Sequence, residues 1–146
     1  MLLKSSRDVL NKGKALWIVL FIGYCGVVVW MTLFNRSVIE REFRTELFWA
    51  FRRLVRGEPG GNQVFVQYLN NIVLFIPFGF LFGLVSRKKC FFVISIAAIT
   101  SASIEMTQYI TAIGLAEIDD VISNTLGAFM GFLIYKCGEK AVVRHK

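Results

Sequence analysis

Charge is scarce in this chain. Only 18% of its 146 residues are Asp, Glu, Lys or Arg, against about 25% in soluble domains. There is one histidine, His145, three cysteines and two prolines. The single histidine stands in the C-terminal tail, which excludes a Ser-His-Asp constellation and any histidine-rich zinc site. No phosphate-binding glycine loop or cysteine-rich cluster is present. Cys25 lies inside an apolar run, and Cys90 and Cys137 lie beside basic flanks, so no extracellular disulfide framework is expected. No aromatic-basic soluble face is present, so nucleic acid is not an expected partner.

Apolar residues are abundant, at 55% of the chain with a mean hydropathy of +0.59. The charges are segregated: long runs have none, because a charge at the bilayer centre costs several kcal/mol. Four runs approach the roughly 17–25 residues that a span requires. They are 15–34, a shorter one near 71–85, 90–110 and about 121–135. The first follows Lys4, Arg7, Lys12 and Lys14. Its apolar length and the Asn35-Arg36-Ser37 that follows it predict a retained anchor and not a cleaved signal. The expectation is therefore an all-α membrane protein: a bundle of four transmembrane helices with an amphipathic interfacial helix between the first and second.

Lysine and arginine set the expected orientation. The N-terminal tail, Arg87-Lys88-Lys89, and the tail from Lys136 to Lys146 are basic. The loop holding Glu117, Asp119 and Asp120 has no basic residue. Both termini are expected inside. The expected divisions are 1–14 as a cytoplasmic tail, 15–34 as span one, 35–69 as an external loop, 70–137 as a core of three spans, and 138–146 as a second cytoplasmic tail. The external loop runs against the charge rule, with Arg36, Arg41, Arg44, Arg52, Arg53 and Arg56. Its Ile39, Phe43, Leu47, Phe51 and Leu54 recur at spacings of three and four, which predicts the amphipathic helix over 39–55. Glu58-Pro59-Gly60-Gly61 should end it. Such a helix either anchors the bundle or offers a basic, aromatic surface to anionic lipid or phosphate head groups.

Polar residues within spans are costly and mark candidate sites. With both termini inside, Asn70 and Asn71 open the second span, Ser101, Glu105 and Gln108 lie in the outer half of the third, and Asp119, Asp120 and Asn124 open the fourth. Spacings of four and three put Ser101, Glu105 and Gln108 on one helix face, and Asp120 and Asn124 on another. The cluster reads either as a site or as interhelical hydrogen-bonding glue. Arginines of the outer loop are expected partners for Glu105. Its oxygens suit a hard cation such as Mg²⁺ or Ca²⁺, but carboxylate clusters are common, and no metal or cofactor is assigned. Gly79 with Gly83, and Gly127 with Gly131, make small-xxx-small pairs that point to contact between the second and fourth spans. Pro77 should kink the second span and free carbonyls.

Three segments carry a resemblance. Asn70-Asn71-Ile72-Val73-Leu74-Phe75-Ile76-Pro77-Phe78-Gly79-Phe80, Ser103-Ile104-Glu105-Met106-Thr107-Gln108 and Ile118-Asp119-Asp120-Val121-Ile122-Ser123-Asn124-Thr125-Leu126-Gly127 resemble, in order, the signature segments of the VanZ-like membrane proteins. Leu115-Ala116-Glu117 departs from that family's pattern, where an Arg or aromatic-acid step often precedes the acidic pair. The resemblance implies a bacterial plasma-membrane protein, and some relatives are linked to resistance against teicoplanin-type glycopeptides. The leading expectation for function is binding of a lipid or cell-envelope precursor head group at the outer polar cluster. The alternatives are an enzyme acting on a lipid-linked phosphate, with Glu105 or Asp120 as base or metal ligand, and a scaffold with no site of its own. Partners are the lipid bilayer, such a precursor, and a second copy of the chain, which the sequence leaves open.

Overall fold

The computed structural model describes residues 2–34 and 42–144, with side chains over 13–33 and 42–141. Its main elements are five α-helices: α1 (Leu2–Val29), α2 (Trp49–Val55), α3 (Gly61–Ser86), α4 (Cys90–Thr111) and α5 (Ile118–Arg144). A π-helical turn, Trp30–Phe34, ends α1. Two short strands, β1 (Phe43–Arg44) and β2 (Ala116–Glu117), pair in parallel. Among the described residues three helical stretches are long and apolar enough to cross a membrane, Gly13–Leu33, Gly61–Ser86 and Cys90–Thr111. Their outward faces are apolar too, with Val19, Ile22, Val73, Phe91 and Ile99 exposed. Lipid is the solvent in which such a surface is stable. α5 is not among the three. Asp119, Asp120 and Asn124 dilute its outer turns, although all three are buried.

α4 occupies nearly the expected range. α3 starts at Gly61, well before the run near 71–85, so the end of the expected external loop is helical. The reason is periodic: Gly61, Val64, Phe65, Tyr68, Asn71, Ile72 and Phe75 form the sheltered row, and Asn62, Gln63, Gln67 and Asn70 point outward. These outward polar residues lower the hydropathy of a continuous helix. α1 and α5 likewise extend through the tails expected at 1–14 and 138–146, to Leu2 and Arg144.

The glycine pairs do what their spacing predicts. A side chain at Gly79 would strike the Ala128 carbonyl, one at Gly127 the Ile72 carbonyl, and one at Gly131 the Ile76 carbonyl. α3 and α5 therefore touch backbone to backbone, side by side in the same direction. Gly83 accommodates the Tyr135 ring, 2.7 Å from where its Cβ would be. α3 runs on through Pro77. The Tyr24 hydroxyl of α1 donates to the Leu74 carbonyl, three residues before the proline, where the ring disturbs the helix's own hydrogen bonding. Phe75, Phe78, Ala97, Ile104, Ala128 and Val28 close the core.

The expected amphipathic helix over 39–55 is shorter in the structure. Ile39, Glu40 and Arg41, like Arg36, lie outside the described residues. From Phe43 the chain forms β1, then turns, and becomes helical only over Trp49–Val55. Pairing Phe43 with Ala116 and Arg44 with Glu117 satisfies backbone groups across the fold. A helix there would forfeit those bonds. α2 ends where Glu58-Pro59-Gly60-Gly61 was expected to end it. Gly57 and Gly60 take φ of 64° and 79°, a conformation that a side chain disfavours.

Candidate functional site

The C-terminal half of α4 and the first turns of α5 bury an unusual amount of polarity. Ser101, Glu105, Gln108, Asp119, Asp120 and Asn124 are each at most 4% exposed. Residues 101, 105 and 108 share one face of α4, as their spacing predicts. That face meets the first turns of α5. The Asn124 Nδ2 donates to Ser101 Oγ at 2.8 Å, and Gln108 Nε2 donates to the Thr32 carbonyl in the π-helical turn at 2.8 Å. The turn's altered spacing leaves backbone acceptors that a side chain must satisfy. Gln108 thus ties α1 to α4. Asn71 is buried at the same end, but Asn70, its neighbour in the sequence, is exposed. Spacing along α3 separates the two onto different faces, and Asn70 does not join the cluster.

The acids are engaged with the loops. Glu105 Oε2 accepts the Glu117 backbone N–H at 2.9 Å. The Glu117 carboxylate is 5% exposed, and both of its oxygens are used. Oε1 accepts from Arg44 Nη1 at 3.0 Å, and Oε2 accepts from Trp49 Nε1 at 3.2 Å. The Arg44 guanidinium also lies over the Trp49 ring, 4.0 Å from its centroid. Asp119 Oδ1 accepts the Phe48 backbone N–H at 2.6 Å. Phe48 itself has φ of 55°, a left-handed conformation that costs an aromatic residue about 1–3 kcal/mol and persists only where its surroundings hold it. The acids of α4, β2 and α5 therefore hold the segment from Phe43 to Trp49 over the end of the bundle.

Arg44, Trp49, Thr32, Ser123 and Glu117 join the cluster beyond what sequence reasoning singled out. The loop arginines were expected to pair with Glu105; Arg44 pairs with Glu117, whose backbone N–H donates to Glu105. The one sequence signal for Glu117 was its place in a loop with acids and no bases. Among the described residues four buried atoms have no hydrogen-bond partner: Asn71 Nδ2, Gln108 Oε1, Asp119 Oδ2 and Asn124 Oδ1. Such atoms take ordered water in native proteins. Among the described residues no three His, Cys, Asp or Glu side chains converge as a metal set.

The cationic segment continues into α2. Arg44, Arg52, Arg53 and Arg56, with Trp49, Glu46 and Glu58, line an open cavity of about 310 Å³. Phe48, Phe51 and Val55 are exposed beside it. Phe51 reaches Phe65 of α3, ring centroids 6.5 Å apart, and Phe43 packs edge-on against Tyr109 of α4 at 6.1 Å. These contacts fix the cap from its apolar side.

A family model described as VanZ/LLP1 matches residues 21–141 of this chain. Protein VanZ of Enterococcus faecium is 30% identical over 136 residues, spanning 92% of this chain and 82% of that protein. No solved structure matches.

Proposed function

This chain belongs to the VanZ/LLP1 family, and from that premise we propose that it recognises an anionic head group, borne by a membrane lipid or cell-envelope precursor, at the outer face of the bacterial plasma membrane. α5 serves as a fourth span in this reading. Its exposed Leu126, Met130, Leu133 and Ile134 suit a lipid-facing surface, and its acids turn inward. Both termini and Lys88 are then cytoplasmic, and Gly60 and Gly114 external. The short helix α2 lies at the interface, with Phe51 and Val55 toward the acyl region. One observation carries the reading: the buried Glu105–Glu117 pair fixes Arg44 and Trp49, so a fold that hides its acids presents its arginines. The head group meets this cationic cap, and the acidic cluster beneath it holds the cap in place. A link to teicoplanin-type glycopeptide sensitivity follows as an expected phenotype, through the occupancy of envelope components at that face.

Cysteine-accessibility labelling tests the topology. Single cysteines replacing Gly60 and Gly114 should react with an impermeant reagent from outside, and one replacing Lys88 only from inside. Labelling of position 60 solely from the cytoplasm would remove the outer site altogether.

A specific observation favours a second reading, in which the chain is a scaffold: the cluster is sealed and bonded internally. Glu105→Gln and Asp120→Asn separate the two. If the cluster only holds the bundle, these swaps should lower thermal stability in detergent and glycopeptide tolerance in proportion. If the cap it supports meets a ligand, tolerance should fall while the bulk of the folded protein persists.

A further inference from the structure

The open cavity in the cap has a composition that the head-group reading does not by itself require. Four arginines line it against two glutamates, Glu46 and Glu58, a surplus of positive charge in a small concavity. The arginines are not equally held. Arg44 is fixed by Glu117 and by Trp49. Arg53 is fixed from three sides: Nη2 donates to the Pro59 carbonyl at 2.6 Å, Nε donates to Glu58 Oε2 at 3.1 Å, and its guanidinium lies 5.8 Å from the Trp49 ring centroid. Arg52 and Arg56 are looser, with side chains 48% and 69% exposed. Arg52 meets only the exposed Glu46 at 3.3 Å, and Arg56 reaches Glu58 at 3.8 Å.

Glu58 therefore stands between two guanidiniums, with Oε2 toward Arg53 and Oε1 toward Arg56. That carboxylate takes one nitrogen of Arg53 at 3.1 Å and lies 3.8 Å from one nitrogen of Arg56, so it stands where an oxyanion would stand between guanidiniums that also suit phosphate. Exposed pairs of this kind contribute about 0–1 kcal/mol, so a dianionic ligand displaces the carboxylate readily. The exposed Phe48, Phe51 and Val55 lie on the same short segment. In the head-group reading these side chains enter the apolar edge of the bilayer, which puts the cavity beside the lipid phosphates.

We propose that this cavity binds the phosphate of a membrane lipid, a phosphomonoester or pyrophosphate, and that Glu58 is a resident counter-ion which the phosphate displaces. Arg53 and Arg44 form the preset part of the site, and Arg52 and Arg56 close on the ligand. The inference rests on the head-group reading and names the group that is recognised.

The test uses the full chain in phosphatidylcholine nanodiscs and a fluorescent phosphatidic acid as probe. The native protein should select phosphatidic acid over phosphatidylcholine, and the affinity should fall as salt rises. Arg52→Gln and Arg56→Gln should each weaken binding about tenfold, as expected for one charge-assisted contact. Glu58→Gln should strengthen it several-fold, since it removes the competing carboxylate. A purely structural role for Glu58 would give the opposite sign. If phosphatidic acid is still selected but none of the three variants changes its affinity, the cavity is not the site, while the head-group reading stands. If phosphatidic acid is not selected at all, both fall. Inorganic pyrophosphate that competes at concentrations equal to the lipid's would overturn the lipid as the source of the phosphate.

Discussion

Gly127→Val should leave no folded bundle. The Ile72 carbonyl already fills the space where any Cβ at this position would go. Backbone cannot swing aside as a side-chain tip does, so α3 and α5 must separate along their length. Overpacking a tight core costs about 1–3 kcal/mol where side chains can adjust, and a backbone-to-backbone clash should exceed the upper figure. Gly79→Val and Gly131→Val meet the Ala128 and Ile76 carbonyls and should behave alike. Gly138→Val is the control, because no atom lies within 4 Å of a Cβ there. Size-exclusion profiles and thermal melts in detergent read the result. A Gly127→Val protein that elutes and melts like the native chain would disprove the close α3–α5 contact.

Glu117→Ala should release the cap while the spans stay assembled. The substitution removes a carboxylate of a residue that is 5% exposed, takes from Arg44 the nearer of its two acidic partners and takes the acceptor from the Trp49 N–H. Breaking a buried ion pair by deleting one partner costs about 3–5 kcal/mol. Here Arg44 is partly exposed, with 28% of its side chain accessible, so water recovers part of its solvation and the cost should fall at the lower end. Hydrogen exchange should quicken at the Phe48 and Ala116 amides, which bond Asp119 and the Glu42 carbonyl. The amides in the middle of α4 should keep their protection. Glu117→Gln keeps an acceptor for Trp49 and should be milder. Arg44→Ala combined with Glu117→Ala should cost less than the two single changes added together, because both single changes remove the same ion pair. Equal exchange rates in native and Glu117→Ala protein would mean that the pair holds nothing.

Much of this arrangement is legible in the sequence. α4 lies within a residue of its expected range because hydropathy and the basic flank Arg87-Lys88-Lys89 bound it sharply. The joint burial of Ser101, Glu105 and Gln108 followed from spacing, and the α3–α5 contact from two glycine pairs. Asn70 was illegible because two adjacent asparagines on a helix must face different ways, and only the packed row through Gly61, Tyr68 and Phe75 decides which one turns in. The segment from Phe43 to Trp49 misled for a different reason. Its apolar residues recur at helical spacing, but in the folded chain it pairs with distant backbone groups at Ala116 and Glu117 instead. Period alone carries no record of long-range pairing. For the same reason Arg44 and Glu117, which the fold brings to 3.0 Å, were legible only as members of oppositely charged loops.

That last pair has a consequence for biosynthesis. Arg44 and Glu117 are 73 residues apart, so a chain emerging from its N-terminus completes α2, α3 and α4 before the acid exists to receive the arginine. Local helices form early and cheaply, whereas a contact across such a loop must wait for the loop to close. The cap therefore locks last, after β2 and the first turns of α5 have followed α4 out of the insertion machinery. Until then Arg44 lacks its contact with Glu117, whereas Arg53 of α2 already meets Glu58 and the Pro59 carbonyl within its own segment. A chain arrested ahead of Glu117 would have its first three long helices but not the contact that fixes Arg44 and Trp49.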